Sequence, residues 1–166
     1  KADLTVLHTF TPPSRSLLGS SLASSKLDEW GIPSSQVRLL ERAQAFLKEV
    51  GLLKILEDGE IAQKHPPQAV KHGLYEIHAF GTADQNVRFR LRDGKPVSQI
   101  LAEAQDDPSY DLIIMGTRGY TGLKKLLVGS IAQEVALHAP CSILVAKNLQ
   151  PDQRVLVGVT GRETAL

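Results

Sequence analysis

Apolar and polar residues alternate with a period of two in "DLTVLHTF", where Leu4, Val6, His8 and Phe10 stand against Thr5, Leu7 and Thr9; this predicts a strand. The period lengthens in "PSSQVRLLERAQAFLKEVG", where Val37, Leu40, Phe46, Leu47 and Val50 form one apolar stripe of a helix. A serine caps that helix and Gly51 ends it. Before it, residues 11–33 are rich in Ser, Pro and Gly and read as a loop. After it, "EDGEIAQKHPPQAVKHG" keeps neither period and carries adjacent prolines, so it reads as irregular. "LYEIHAF" and "VRFRLRDG" alternate again and are joined by "GTADQN", which predicts a hairpin or two neighbouring strands. "KPVSQILAEAQ" returns to a helix with Pro96 in its first turn. "YDLIIMG" and "CSILVA" are apolar runs of the kind found in buried parallel strands, and "SIAQEVALHA" between them is a helix.

Strands alternating with helices favour a sheet covered on both faces. The fold class expected is α/β, a three-layer sandwich around a mainly parallel, Rossmann-like sheet, with "LIIM" and "SILV" at or next to its centre. Composition changes this picture little. A chain of 166 residues with 42% hydrophobic and 22% charged residues has the balance of an ordinary globular domain. A net charge of +1 supplies no field for nucleic acid or an anionic membrane, and 5% aromatic residues make a poor stacking platform. Neither partner is expected. Cys141 is the only cysteine, which rules out an internal disulfide or an all-cysteine metal site; within "CSILVA" it reads as a small hydrophobe. With no run of 18 apolar residues and no visible signal peptide, a cytoplasmic location is expected.

The strongest chemical signal is "DLIIMGTRGYTGLKKLLVGSIAQEV", in which Gly116, Gly119, Gly122 and Gly129 crowd one strand-to-helix connection. No register of it supplies a Walker loop, and Arg118 stands where a dinucleotide fingerprint needs its second glycine. Gly116 and Gly119 lack Cβ atoms, so an oxygen-rich ligand can approach their backbone N–H groups. Gly129 and Ser130 open a helix whose first N–H groups are unpaired and favour an anion. Ser130 can either donate to such an anion or cap the helix. Arg118 could neutralise phosphate charge, whereas Lys124 and Lys125 read as solvated surface. In a parallel sheet this loop would sit at the carboxyl edge, where ligands bind. The competing reading is a glycine turn beside an empty crevice.

The pattern Gly116, two residues, Gly119, nine residues, Gly129, Ser130 resembles the nucleotide motif of the ATP-binding branch of the universal stress protein family. The likeness extends over residues 1–10 and 87–148, through that family's second strand, third strand-to-helix junction, fourth strand, binding loop, last helix and fifth strand. Residues 52–86 look like an insertion. "RVLVGVTGRETAL" is similar to the family's first strand and the start of its first helix, with Thr160 where the family has a nucleotide-contacting aspartate. Two segments are therefore expected. Residues 1–150 form a domain lacking its first strand and helix, and 151–166 form a linker and the first strand of a following repeat. That strand, Arg154 to Thr160, is expected to fill the open slot in a sheet.

The resemblance implies that Gly116, Gly119, Gly129, Ser130 and the amide of Ile131 bind ribose and triphosphate, with adenine against Thr9 and near Met115. It implies ATP or another adenine nucleotide as ligand, with or without Mg, and a homodimer formed through Ser142 to Ala146. An ATP-binding regulatory or stress-response module acting on an unidentified protein partner is the expected function. The alternative is a nucleotide-free dimerisation module of the same family. No nucleophile–base pair accompanies the glycines, so a binding protein is expected rather than an enzyme, with slow ATP hydrolysis left open.

Other candidates carry less. His65, His72 and His78 with Glu76 suggest zinc, but their spacing fits no tight ligand pair, and no metal is assigned. His8 reads as a rim histidine, His138 as a cation suited to a helix's last turn, and Asp106 and Asp107 as capping residues before Pro108.

Overall fold

The computed structural model describes residues 2–11, 34–71, 73–117 and 129–146. The loop at 12–33, His72, the stretch from Arg118 to Val128 and the tail with Arg154 to Thr160 lie outside the described residues. The chain divides into two compact units, Lys1–Ser109 and Tyr110–Leu166.

The first unit holds β1 (Leu4–Phe10), α1 (Ser34–Glu49), β2 (Gln63–Lys71), β3 (Leu74–Phe80), β4 (Asn86–Asp93) and α2 (Pro96–Asp106). Its sheet runs in the order β1-β4-β3-β2. β1 lies parallel to β4, with Leu4 opposite Val87 and Phe10 opposite Asp93. β4 and β3 form the expected hairpin, and β2 adds antiparallel to β3.

The alternation in "VRFRLR" sorts β4 onto two unlike faces. Val87, Phe89 and Leu91 are fully buried and pack with Leu40, Leu47, Leu53 and Ala79 in one core. Full burial of side chains of this size contributes about 1.5–3 kcal/mol each. Arg88, Arg90 and Arg92 point to the other face, where α2 supplies carboxylates.

The apolar stripe of α1 is narrower than its sequence suggests. Leu40 and Leu47 are buried and Val37 packs against the core, but Phe46 is 59% and Val50 49% exposed. Successive helical residues are about 100° apart, so Phe46 cannot share the face of Leu47. The helix ends as expected at Gly51, whose φ of +72° suits glycine. The N–H of Leu52 donates to Leu47 O at 2.9 Å and that of Gly51 to Lys48 O at 3.1 Å, a Schellman pair.

The segment expected to be irregular contains a strand. Pro66 and Pro67 lie within β2, which is possible because among the described residues β2 is the sheet's edge and pairs on one side only. Its register with β3 slips between Gln63 and His65, between His65 and Gln68, and between Ala69 and Lys71. The slip between His65 and Gln68 spans both prolines, which have no N–H to give to the ladder.

The second unit holds β5 (Leu112–Gly116), α3 (Ser130–His138) and β6 (Ser142–Ala146). β5 and β6 are parallel, with Met115 opposite Val145 and Gly116 opposite Ala146. The buried side of α3 is carried by Ala132 and Val135. Burial alternates along β5, where Leu112 is 46% and Ile114 64% exposed, so the strand is not buried on both faces as its apolar run predicts. Among the described residues β5 and β6 pair only with each other, and not as inner strands of a larger sheet. The α/β class holds. Both parallel pairs join strands that a helix separates along the chain, and antiparallel pairing is confined to the β2–β3–β4 side.

Candidate functional site

In the second unit, β5 and α3 bring five of the expected site residues together. Met115 and Gly116 end β5, and Gly129, Ser130 and Ile131 begin α3. Two backbone bonds hold these ends. Thr117 N–H donates to Ala146 O at 3.0 Å, and Gly129 N–H donates to Thr117 O at 2.6 Å. Thr117 is buried at this junction. The helix cap is Gly129 and not Ser130, and among the described residues no side chain caps the terminus. A capping role for Ser130 is therefore excluded: Ser130 is the first helical residue and exposed. Gly129 takes φ −67° and ψ 150°, extended backbone open to any residue. Conformational freedom does not explain a glycine there. What remains is the absent Cβ and the bare backbone it leaves at an anion-favouring terminus.

Thr9 belongs to the first unit, where it lies near the end of β1 opposite Arg92. Arg118 and Gly119 lie outside the described residues.

The first unit carries a charged cluster that periodicity displayed but sequence reasoning left unused. Arg90 Nε donates to Glu76 Oε2 at 2.6 Å, and its Nη1 donates to Glu103 Oε1. Arg92 Nε donates to Glu103 Oε2 at 2.6 Å and its Nη2 to Asp106 Oδ2 at 2.8 Å. Arg88 Nη1 reaches Asp107 Oδ2 at 3.2 Å. Burial works against the charge on Arg90, yet hydrogen bonds and opposite charge from Glu103 and Glu76 outweigh it and hold the guanidinium protonated. Asp106 and Asp107 thus do more than cap and solvate, because they tie α2 to β4. Ser109 and then Arg88 hold the Asp107 carboxyl below its ordinary value.

The histidines resolve differently from one another. His8 Nε2 lies 2.7 Å from Gln36 Oε1 in α1, a rim contact as expected. His138 Nδ1 donates to Glu134 O at 2.9 Å inside the last turn of α3. His65, Glu76 and His78 come together, with one potential ligand atom from each within 4.8 Å of the others. Spacing along the chain does not prevent a tight ligand set here, because antiparallel pairing places His65 opposite His78 whatever their separation in sequence. His72 lies outside the described residues.

The sequence model of the Universal stress protein family matches residues 1–147. A universal stress protein of Staphylococcus aureus strain USA300 is 32% identical over 84 residues, and one of Staphylococcus epidermidis is 33% identical over 84 residues. Each match covers 51% of this chain and 50% of the relative, so the chain spans about half the length of the curated relatives it matches. The chain belongs to the universal stress protein family. Its mixed α/β sheet with flanking helices is consistent with that family's Rossmann-like fold. Among the described residues no helix is long and apolar enough to cross a membrane.

Proposed function

We propose that this protein is an ATP-binding member of its family, acting in the stress response as a nucleotide-dependent regulatory module rather than as an enzyme. The observation that carries the reading is the start of α3: a helix terminus without a side-chain cap among the described residues, opened by Gly129, whose backbone does not require glycine, and joined through Thr117 to the end of β5. In this reading the N–H groups of Ser130 and Ile131 and the Ser130 hydroxyl receive the phosphates. Gly116, Arg118 and Gly119 line the same ligand, and Met115 flanks the adenine. Mg accompanies the nucleotide where the phosphates need it. Family membership supports the assignment, and so does the Gly-x2-Gly-x9-Gly-Ser pattern in the sequence.

The test is titration calorimetry of the full-length protein with ATP. Ser130→Ala removes one hydroxyl and leaves the amides, a loss of about 1 kcal/mol for a neutral donor and more for a charge-assisted one. Gly129→Val places a branched side chain where the phosphate must approach. Affinity should fall from wild type to Ser130→Ala to Gly129→Val, and triphosphate should outcompete adenosine. Absence of ATP binding by the wild-type protein would leave the nucleotide-free dimerisation module as the reading.

A further inference from the structure

Glu76 and His78 are two residues apart on β3, so both side chains emerge on one face of the strand. His65 on β2 is the register partner of His78, and the two rings meet edge to face with centroids 5.0 Å apart. β2 is bulged on both sides of His65, and bulges re-aim side chains. Glu76 and His78 are buried and His65 is half-buried, so the cluster lies at the rim of the sheet with one side open.

The geometry points to a transition-metal site, with His65, Glu76 and His78 binding Zn²⁺ and water completing the coordination. Two imidazoles and a carboxylate are a donor set that zinc takes in three-ligand sites with an open position. Nitrogen ligands also disfavour Mg²⁺ and Ca²⁺, which prefer oxygen. Zinc bonds of about 2.0–2.1 Å place tetrahedral donors roughly 3.4 Å apart. In this structure one potential ligand atom from each of the three residues lies within 4.8 Å of the others.

The surroundings are those of a supported ligand set. His78 Nε2 lies 3.0 Å from Asn86 Oδ1 and donates to it, which leaves Nδ1 with its lone pair. Gln68 Nε2 lies 3.2 Å from His65 Nδ1; the amide flipped by 180° would instead place Oε1 there to accept from Nδ1–H, which makes His65 Nε2 the ligand atom. Arg90 holds Glu76 by Oε2 and leaves Oε1 for a metal. Two cations stand near the site. Arg90 is also bonded to Glu103, which offsets its charge, and Lys64 is exposed and screened.

The experiment is competition for Zn²⁺ between the untagged, chelator-stripped chain and a chromophoric chelator, with Co²⁺ absorption as a second readout. The site predicts one Zn²⁺ per chain and the intense visible bands of four-coordinate Co²⁺. His65→Ala is the discriminating variant, since His65 sits half-buried on an edge strand and its loss spares the core. It should abolish the Co²⁺ bands and weaken Zn²⁺ by more than the roughly 10- to 100-fold that an outer-shell partner costs. Gln68→Ala should weaken Zn²⁺ within that range of about 10- to 100-fold. His8→Ala and His138→Ala should change neither readout. A wild-type chain that fails to compete with the chelator, or a folded His65→Ala variant that binds as tightly as wild type, would overturn the assignment.

Discussion

At the scale of single residues, the first unit is governed by what β4 does with alternate positions. Phe89 meets an apolar helix on one side, while Arg90 meets carboxylates on the other. Desolvation of a buried guanidinium offsets much of what its pairing returns, so these ion pairs are weak evidence of added stability; what they do is join β4 to α2 through Glu103 and Asp106 and to β3 through Glu76. Asp107 is the member open to direct test. Its carboxyl titrates below the ordinary 3.8 because Ser109 and Arg88 favour the charged form. A depressed folded-state value means a contribution to stability that is complete above the unfolded value and lost as pH falls through the folded one. Denaturant midpoints followed downward from pH 3.8 should therefore drop less steeply for Asp107→Asn than for wild type. Parallel slopes for the two proteins would show that Asp107 does not contribute this linkage.

At the scale of elements, the ends of helices and strands carry their own requirements. Gly51 ends α1 with φ +72°, and no atom lies within 4 Å of the place a Cβ would take. Gly51→Ala should therefore cost only the left-handed conformation, about 1–2 kcal/mol. Gly94 joins β4 to α2 with φ +142°, and its N–H donates to Phe10 O at 2.7 Å. A Cβ there would lie 2.4 Å from Gln99 Nε2. Because the Gln99 side chain can swing aside, the larger loss expected for Gly94→Ala than for Gly51→Ala in urea unfolding comes from its backbone, whose φ of +142° lies outside the left-handed well that other residues can enter; the reverse order would refute this account. Gly51 was legible in the sequence because a glycine after a helical stripe is a stop signal. Pro66 and Pro67 were misleading because proline opposes a strand only where both edges must donate, and the edge position of β2 comes from tertiary structure.

At the scale of the whole molecule, the edge of β6 bears on assembly. β6 pairs with β5 on one side, Leu144 is 48% exposed, and among the described residues no strand takes its other edge. An apolar strand edge is a template for an identical partner, and two-fold pairing is the commonest way such edges close. We propose a homodimer formed through Ser142 to Ala146. Sedimentation equilibrium should show a dimer at micromolar concentration; a monomer persisting at high micromolar concentration would exclude it.

The sequence by itself determined the alternation of strands and helices, the hairpin at "GTADQN", the helix stop at Gly51 and the glycine-to-helix junction that marks the family. These are local properties, written in periodicity and in residues with special backbone behaviour. Only the tertiary structure decided that β2 forms at all, that Phe46 and Val50 stay outside the core, and that Arg90 bridges Glu76 and Glu103. It also decided that His65 faces His78. Each of these depends on strand register and on what packs over a face, and a one-residue slip in register would send every side chain of a strand to its opposite side.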